Sequence, residues 1–317
     1  MKRYLPLFVA LPFAGLASAA APHYPAHPIT LVVPLPPGGA SDNAARMLAE
    51  HLSAVWKQPV VVANKAGANG LIGAQAVANA RPDGYTLLFA VPSIATFDAF
   101  LKTPPVKVDR DLAAVSLIVD KGYYVLVNAN LPVKDIREFI AYAKRNPGKL
   151  NYGTFGGGAM LATEMFKQMA GIDVARVQYR GEALAATALA ANEVQVVLGS
   201  FLAARNFVDA GKVRVLAGTT ASRLASMPQL PTLSEAVPGY EARVWYGLMA
   251  PAGTPEAIRK KLADEVAAFV RRPEVARRFA ELEYTPRSSS PEEFEALLAK
   301  ESKLWNEVAA RADIEKQ

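Results

Sequence analysis

Ser41 and Asp42 close the stretch Leu31-Val32-Val33-Pro34-Leu35-Pro36-Pro37-Gly38-Gly39-Ala40-Ser41-Asp42. A hydroxyl beside a carboxylate suits a Ser-His-Asp hydrolase when a histidine is in reach, and the same holds for Ser93. The three histidines are His23, His27 and His51. The first two lie in an irregular, proline-marked lead-in, and the third falls within a helical pattern. None accompanies a nucleophile motif such as G-x-S-x-G. His23 and His27 are four apart, but the prolines around them argue against a helix presenting both to zinc. There is no cysteine and no acidic cluster to complete a metal site. A P-loop lysine and a G-x-G-x-x-G run are missing at the glycine turn, so a nucleotide is not favoured. The expectation is a protein without catalysis, metal or organic cofactor.

What the stretch does suit is anion binding. Leu31 to Val33 reads as a short apolar strand, stopped by three prolines and two glycines. Leu48, Leu52 and Val55 then recur at helical spacing. Ser41 and Asp42 are good N-cap types. Strand, glycine turn and helix start put free N–H groups and a positive dipole end at the carboxyl end of a strand. An ordinary strand-to-helix turn would look the same. The order recurs at Leu150-Asn151-Tyr152-Gly153-Thr154-Phe155-Gly156-Gly157-Gly158-Ala159-Met160, where Leu161, Met165 and Met169 continue helically and Gly171 ends the helix. Two such loops, one in each half, could clasp one anion across a cleft. Ser93 and Thr96 after a third strand, and Ser200 after Val194 to Leu198, stand where strand ends would meet that cleft. Each equally suits a cap or turn.

The elements that must position these loops alternate. Strands are expected at 29–33, 60–62 and 85–90, separated by helices, which means a parallel sheet. Strands at 115–119 and 123–127 bracket Lys121-Gly122, where the chain is expected to cross into a second α/β half. It returns through Val244 to Met249, with Trp245 and Tyr246 near the hinge or cleft floor. Thr254-Pro255 reads as a helix start with threonine as cap, and Ser290-Pro291-Glu292-Glu293 as a capping box. The C-terminal helices should pack back on the first domain.

The 317 residues suit two such domains, and 51% hydrophobic residues make the chain globular. Lys2 and Arg3, the apolar run Tyr4 to Leu16, and Ala17-Ser18-Ala19 or Ala19-Ala20-Ala21 read as a cleaved signal peptide at 1–21. A soluble, exported product without disulfides or a cysteine-borne lipid is expected. Removing two of the charges leaves +6 − 2 = +4. That mild excess favours anionic small molecules, and the scattered basic residues give a nucleic-acid groove little support.

The run Tyr24-Pro25…Pro28-Ile29…Val33-Pro34…Pro36-Pro37-Gly38-Gly39-Ala40-Ser41-Asp42 resembles the opening of the Bug (Bordetella uptake gene) family of periplasmic solute-binding proteins. Gln58-Pro59-Val60-Val61-Val62…Asn64…Gly67-Ala68…Gly70, Pro82-Asp83-Gly84-Tyr85, Pro238-Gly239-Tyr240 and Ala250-Pro251-Ala252-Gly253-Thr254-Pro255 continue the match along the mature chain. The resemblance implies an α/β, type II periplasmic binding protein fold: lobe 1 at 22–121 plus 245–317, lobe 2 at 122–244, and a two-crossover hinge. It implies a monomeric periplasmic receptor that closes on a small carboxylate and serves a tripartite tricarboxylate transporter permease. A sensory module for a membrane kinase, or a periplasmic hydrolase, is the alternative. The ligand residues it implies are Pro37, Gly38, Gly39, Ala40, Ser41, Asp42, Ser93, Thr154, Phe155, Gly156, Gly157, Gly158, Ala159, Met160, Ser200 and Tyr246. Phe155, Met160 and Gly199 depart from the family pattern, which usually has small or polar residues at the first two and an aspartate at the third. Phe155 and Met160 thus suggest an apolar wall, with core packing as the competing account. Arg205 could face a second ligand carboxylate or simply be solvated.

Overall fold

The computed structural model describes residues 24–223 and 227–317; the expected signal peptide and His23 lie outside the described residues. The chain builds β1 (Ile29–Val33), α1 (Ala40–Trp56), β2 (Val60–Asn64), α2 (Leu71–Ala78) and β3 (Thr86–Ala90). Short helical turns α3 (Phe97–Phe100) and α4 (Val108–Asp111) lead into β4 (Leu112–Gly122). Then follow β5 (Tyr124–Asn128), α5 (Ile136–Arg145), β6 (Leu150–Thr154), α6 (Gly157–Ala170), β7 (Val174–Gln178), α7 (Glu182–Ala190), β8 (Val196–Gly199), α8 (Phe201–Asp209) and β9 (Val213–Gly218). The return brings β10 (Arg243–Pro251), α9 (Glu256–Val270), α10 (Pro273–Glu281), β11 (Thr285–Pro286) and α11 (Pro291–Arg311).

Two sheets divide these strands. Their orders are β11-β4-β10-β3-β1-β2 and β7-β6-β8-β5-β9. β1 pairs in parallel with β2 and β3, as the strand–helix alternation requires. β10 is antiparallel to both β3 and β4, so β4 ends on the same edge as β1 and β3. In the second sheet β6 and β8 are parallel, and β5 is antiparallel to β8 and β9. The start of β5 therefore lies at the carboxyl edge of β6 and β8. Because β4 runs directly into β5, the carboxyl edges of the two sheets face one another. That topology, more than any single residue, puts the two glycine loops on facing edges.

The two chain crossings lie side by side. Tyr123 N–H donates to Thr219 Oγ1 at 2.7 Å, and Thr219 N–H to the Tyr123 carbonyl. The same threonine hydroxyl donates to the Ala242 carbonyl at 2.8 Å, while Ala242 N–H returns to the Thr219 carbonyl. Thr219 is fully buried. One side chain thus fastens the outgoing and returning strands. The return crossing precedes Arg243, ahead of the Val244–Met249 stretch expected from the sequence, because those residues already belong to the long strand β10, paired on both sides by β4 and β3.

Helix α1 buries Ala44, Ala45, Leu48, Ala49 and Leu52. Burying each leucine stabilises by about 2 kcal/mol. Val55 keeps the sequence spacing but is 47% exposed in the last turn. α9 and α10 pack on the first sheet, as expected. α11 instead bridges: it packs on β4 and α3 of the first lobe and on α6 of the second. Its Val308 carbonyl accepts from Gln168 Nε2 at 3.1 Å. Its start is the expected capping box of Ser290 and Glu293. Thr254, by contrast, is not the cap of α9. Its hydroxyl donates back to the Pro251 carbonyl, and Pro255 takes the N-cap position.

Candidate functional site

In the first loop the N-cap of α1 is Gly39, with no side-chain cap, rather than Ser41 or Asp42. The expected caps lie two and three residues too far in. Asp42 does other work. Its carboxylate accepts from Gly38 N–H, Arg46 Nε and Asn64 Nδ2, each at 2.9 Å, and Asn64 also reaches the Leu35 carbonyl. Burial alone would raise this carboxyl, but these donors outweigh it and hold it at about 2. Asp42 thus braces the turn from inside the helix, and it consumes the Gly38 N–H. Among the described residues, the N–H groups of Gly39, Ala40, Ser41 and Asp42 have no intramolecular partner, while Asn43 N–H takes the Gly39 carbonyl. Pro37, Gly38 and Gly39 are exposed, and Ser41 and Asp42 are buried. Only Gly38 needs glycine for its backbone, at φ +84°. A Cβ at Gly38 or Gly39 would meet nothing within 4 Å, so the loop borders open space.

The second loop matches it. Gly156 caps α6 without a side-chain bond, and Met160 N–H takes its carbonyl. The N–H groups of Gly157, Gly158 and Ala159 are left without partners among the described residues. Gly156 also borders open space, whereas a Cβ on Gly157 would lie 2.7 Å from the Phe100 ring of lobe 1. A Cβ on Gly158 would lie 3.2 Å from the Tyr123 hydroxyl, which brings a hinge side chain to the start of α6. Burial raises the Tyr123 phenol, so it stays a neutral donor. Thr154 is fully buried, and its hydroxyl oxygen has no partner.

The other predicted residues fall into separate groups. Ser93 Oγ donates to the Asn69 carbonyl at 2.6 Å and lies beside Gly70, tying β3's end to the 64–70 loop. Ser200 is the N-cap of α8, and its Oγ accepts from Ala203 N–H. Tyr246 is buried, its hydroxyl 2.8 Å from that of Tyr284. Phe155 and Met160 do not form one wall. Phe155 packs against the second-lobe core cluster that includes Tyr124, Leu126 and Leu189. Met160 lines an inter-lobe cavity of about 270 Å³ with Asn69, Leu71, Phe97, Phe100 and Ile314. Arg205 is exposed and lies over the Phe201 ring. No hydrogen bond joins the two glycine loops among the described residues.

A larger cavity, about 770 Å³, lies beside Lys102, Glu164, Lys167, Arg176 and residues 312–317. None of the predicted residues lines it, and Lys167 is paired with Glu164. The loops, with their unpartnered N–H groups, are the stronger candidate. Sequence reasoning missed Tyr123, Thr219 and Glu182 here. Only Tyr123, next to the predicted crossing, carried a signal that could have found it.

Histidine chemistry does not reach these loops. His51 is buried against Phe269, its Nδ1 accepting from Arg272 Nη1 at 2.9 Å. His27 stacks on Tyr85. Among the described residues no group of three or more His, Cys, Asp or Glu is placed to hold a metal ion. No helix of the described residues is long and apolar enough to cross a membrane.

Two α/β lobes, joined by paired crossings and each presenting an open helix start to the other, define a two-lobed solute-binding protein. The chain belongs to the tripartite tricarboxylate transporter receptor family, whose model matches residues 44–313. It is 33% identical over 298 residues to protein BugT of Bordetella pertussis, covering 92% of this chain and 91% of that one. Among solved structures, an R. palustris protein with adipate superposes with TM-score 0.78 at 34% identity, over 93% of this chain and all of the other (100%). MatC from Rhodopseudomonas palustris, with bound malate, gives 0.73 at 28% identity over 90% of this chain and 100% of its own. The family is one of periplasmic receptors.

Proposed function

We propose that this chain captures a small carboxylate in the periplasm by closing its lobes on the ligand, and presents it to a transporter permease. The observation that carries this is the pair of unpartnered N–H sets, at Gly39–Asp42 and Gly157–Ala159, on facing sheet edges. Removing a carboxylate from water requires several hydrogen bonds in return, and two helix starts supply them together with favourable dipoles. The adipate and malate in two related structures are carboxylates of this size. No turnover is expected, since neither Ser41 nor Ser93 has a histidine beside it among the described residues.

Calorimetry with a panel of carboxylates tests the reading. Ser41→Ala should weaken binding by only about 0.5–1.5 kcal/mol, one neutral hydrogen bond. Gly39→Val should cost about 1 kcal/mol of stability, as a poorer N-cap. The same variant should abolish measurable binding, because its side chain projects into the open space of the cleft. Normal ligand affinity in folded Gly39→Val would remove this loop from the site. Small-angle scattering with saturating ligand should show a monomer that becomes more compact; an unchanged profile would count against lobe closure.

A further inference from the structure

Glu182 is the first residue of α7, and its carboxylate leaves its own helix to reach the next strand end. Oε1 accepts from Ser200 N–H at 2.5 Å. It lies 3.1 Å from where a Cβ on Gly199 would stand. Gly199 does not need glycine for its backbone angles, but a Cβ there would crowd this carboxylate, which would have to give by a few tenths of an ångström. The anion is held by the starts of two helices, α7 and α8, whose dipoles favour charge there. No lysine, arginine or histidine pairs with it among the described residues.

It stands on the inter-lobe face, because Ser200 follows the carboxyl end of β8, where Gly199 pairs with Tyr124 next to the chain crossing. Burial is what chiefly raises the phenols of Tyr123, Tyr246 and Tyr284, but each also feels the negative charge of Glu182. Tyr123 belongs to the hinge and touches the start of α6, while Tyr246 and Tyr284 come from lobe 1. A ligand whose carboxylate sits on the Gly157–Ala159 N–H groups, and whose body runs past Tyr123 toward the end of β8, would meet a fixed negative charge. An acceptor-only group arriving there meets an acceptor-only group of the same sign. A protonated nitrogen meets its complement.

We propose that Glu182 makes this receptor selective for carboxylates that also carry a protonated nitrogen, over diacids of similar length. The inference rests on the carboxylate-binding reading given above. It is tested by calorimetry on the full mature chain with two matched series: succinate, glutarate and adipate against γ-aminobutyrate, δ-aminovalerate and ε-aminocaproate. The best amino acid should bind at least about tenfold tighter than its matched diacid. Glu182→Gln keeps the shape and still accepts from Ser200 N–H, so its melting temperature should match the wild type. Its amino-acid preference should fall to parity or reverse. Wild-type preference for the diacids, or a glutamine variant that shifts both series equally, would overturn the proposal and leave carboxylate binding standing. Failure of every member of both series to bind would instead sink the carboxylate reading, and this inference with it.

Discussion

Asp42→Ala is expected to lower the unfolding free energy by about 2–4 kcal/mol and to weaken ligand binding more than any change at Ser41. The carboxylate is 2% exposed and satisfies three donors from three parts of lobe 1: Gly38 in the turn, Arg46 one helical turn on, and Asn64 at the end of β2. Alanine leaves the Asn64 amide and the Gly38 N–H without that acceptor and frees the 34–39 loop to move. The N–H groups of Gly39 to Asp42 then lose their fixed direction, and a carboxylate ligand loses preorganised donors. The pH dependence follows from the lowered pKa. The stabilisation is fully present above the unfolded value of 3.8 and is lost as pH falls through about 2. Asp42→Asn, which keeps one acceptor oxygen, should fall between. Urea unfolding and calorimetry at neutral pH measure both effects. An alanine variant with unchanged stability would show that the brace is redundant.

The sequence disclosed the parts of this fold that depend on local pattern. The strand–glycine–helix order at Val33–Asp42 and Thr154–Met160 was legible because apolar runs, glycines and helical spacing all sit within a dozen residues. The hydroxyls at strand ends were legible too, but only as types. What each does depends on its partner: Ser93 Oγ donates to the Asn69 carbonyl, 24 residues away, whereas Ser200 Oγ accepts from Ala203 N–H in the next helical turn. The capping role of Ser41 and Asp42 was misplaced by two or three residues because Gly39 can end the turn by itself, freeing Asp42 to hold Gly38. Phe155 and Met160 looked like one wall because they are five apart around one loop, yet the strand end and the helix send them to different neighbours. Thr219 was invisible for a plainer reason. A threonine at a strand end is unremarked until the chain crossing at Tyr123 and the return at Ala242 are seen to meet on it. The same holds for α11, whose amphipathic pattern says that it packs but not that it packs on both lobes.

Glu301 of α11 gives the second large expectation. It is buried where the returning strand enters lobe 1, accepting from Trp245 Nε1 at 2.9 Å, with the Trp305 indole nearby. Burial pushes its carboxyl from 4.5 up to about 7, against the pull of the two indoles and Arg243. The folded protein therefore binds a proton here that the unfolded chain releases near 4.5. This contribution to stability is fully present below the unfolded value and is lost as pH rises through about 7, a change of about 3 kcal/mol. Other groups titrate over the same range. Glu283 is raised, chiefly by burial, and adds a slope of the same sign, whereas burial lowers His51 and adds the opposite one. The comparison that isolates Glu301 is thus with Glu301→Gln, a neutral side chain whose oxygen still accepts from Trp245. Across about pH 4 to 8 the wild type should lose about 3 kcal/mol relative to this variant, as read by denaturant unfolding at each pH. Parallel curves for the two proteins would mean that Glu301 keeps one protonation state throughout and that its burial is already compensated.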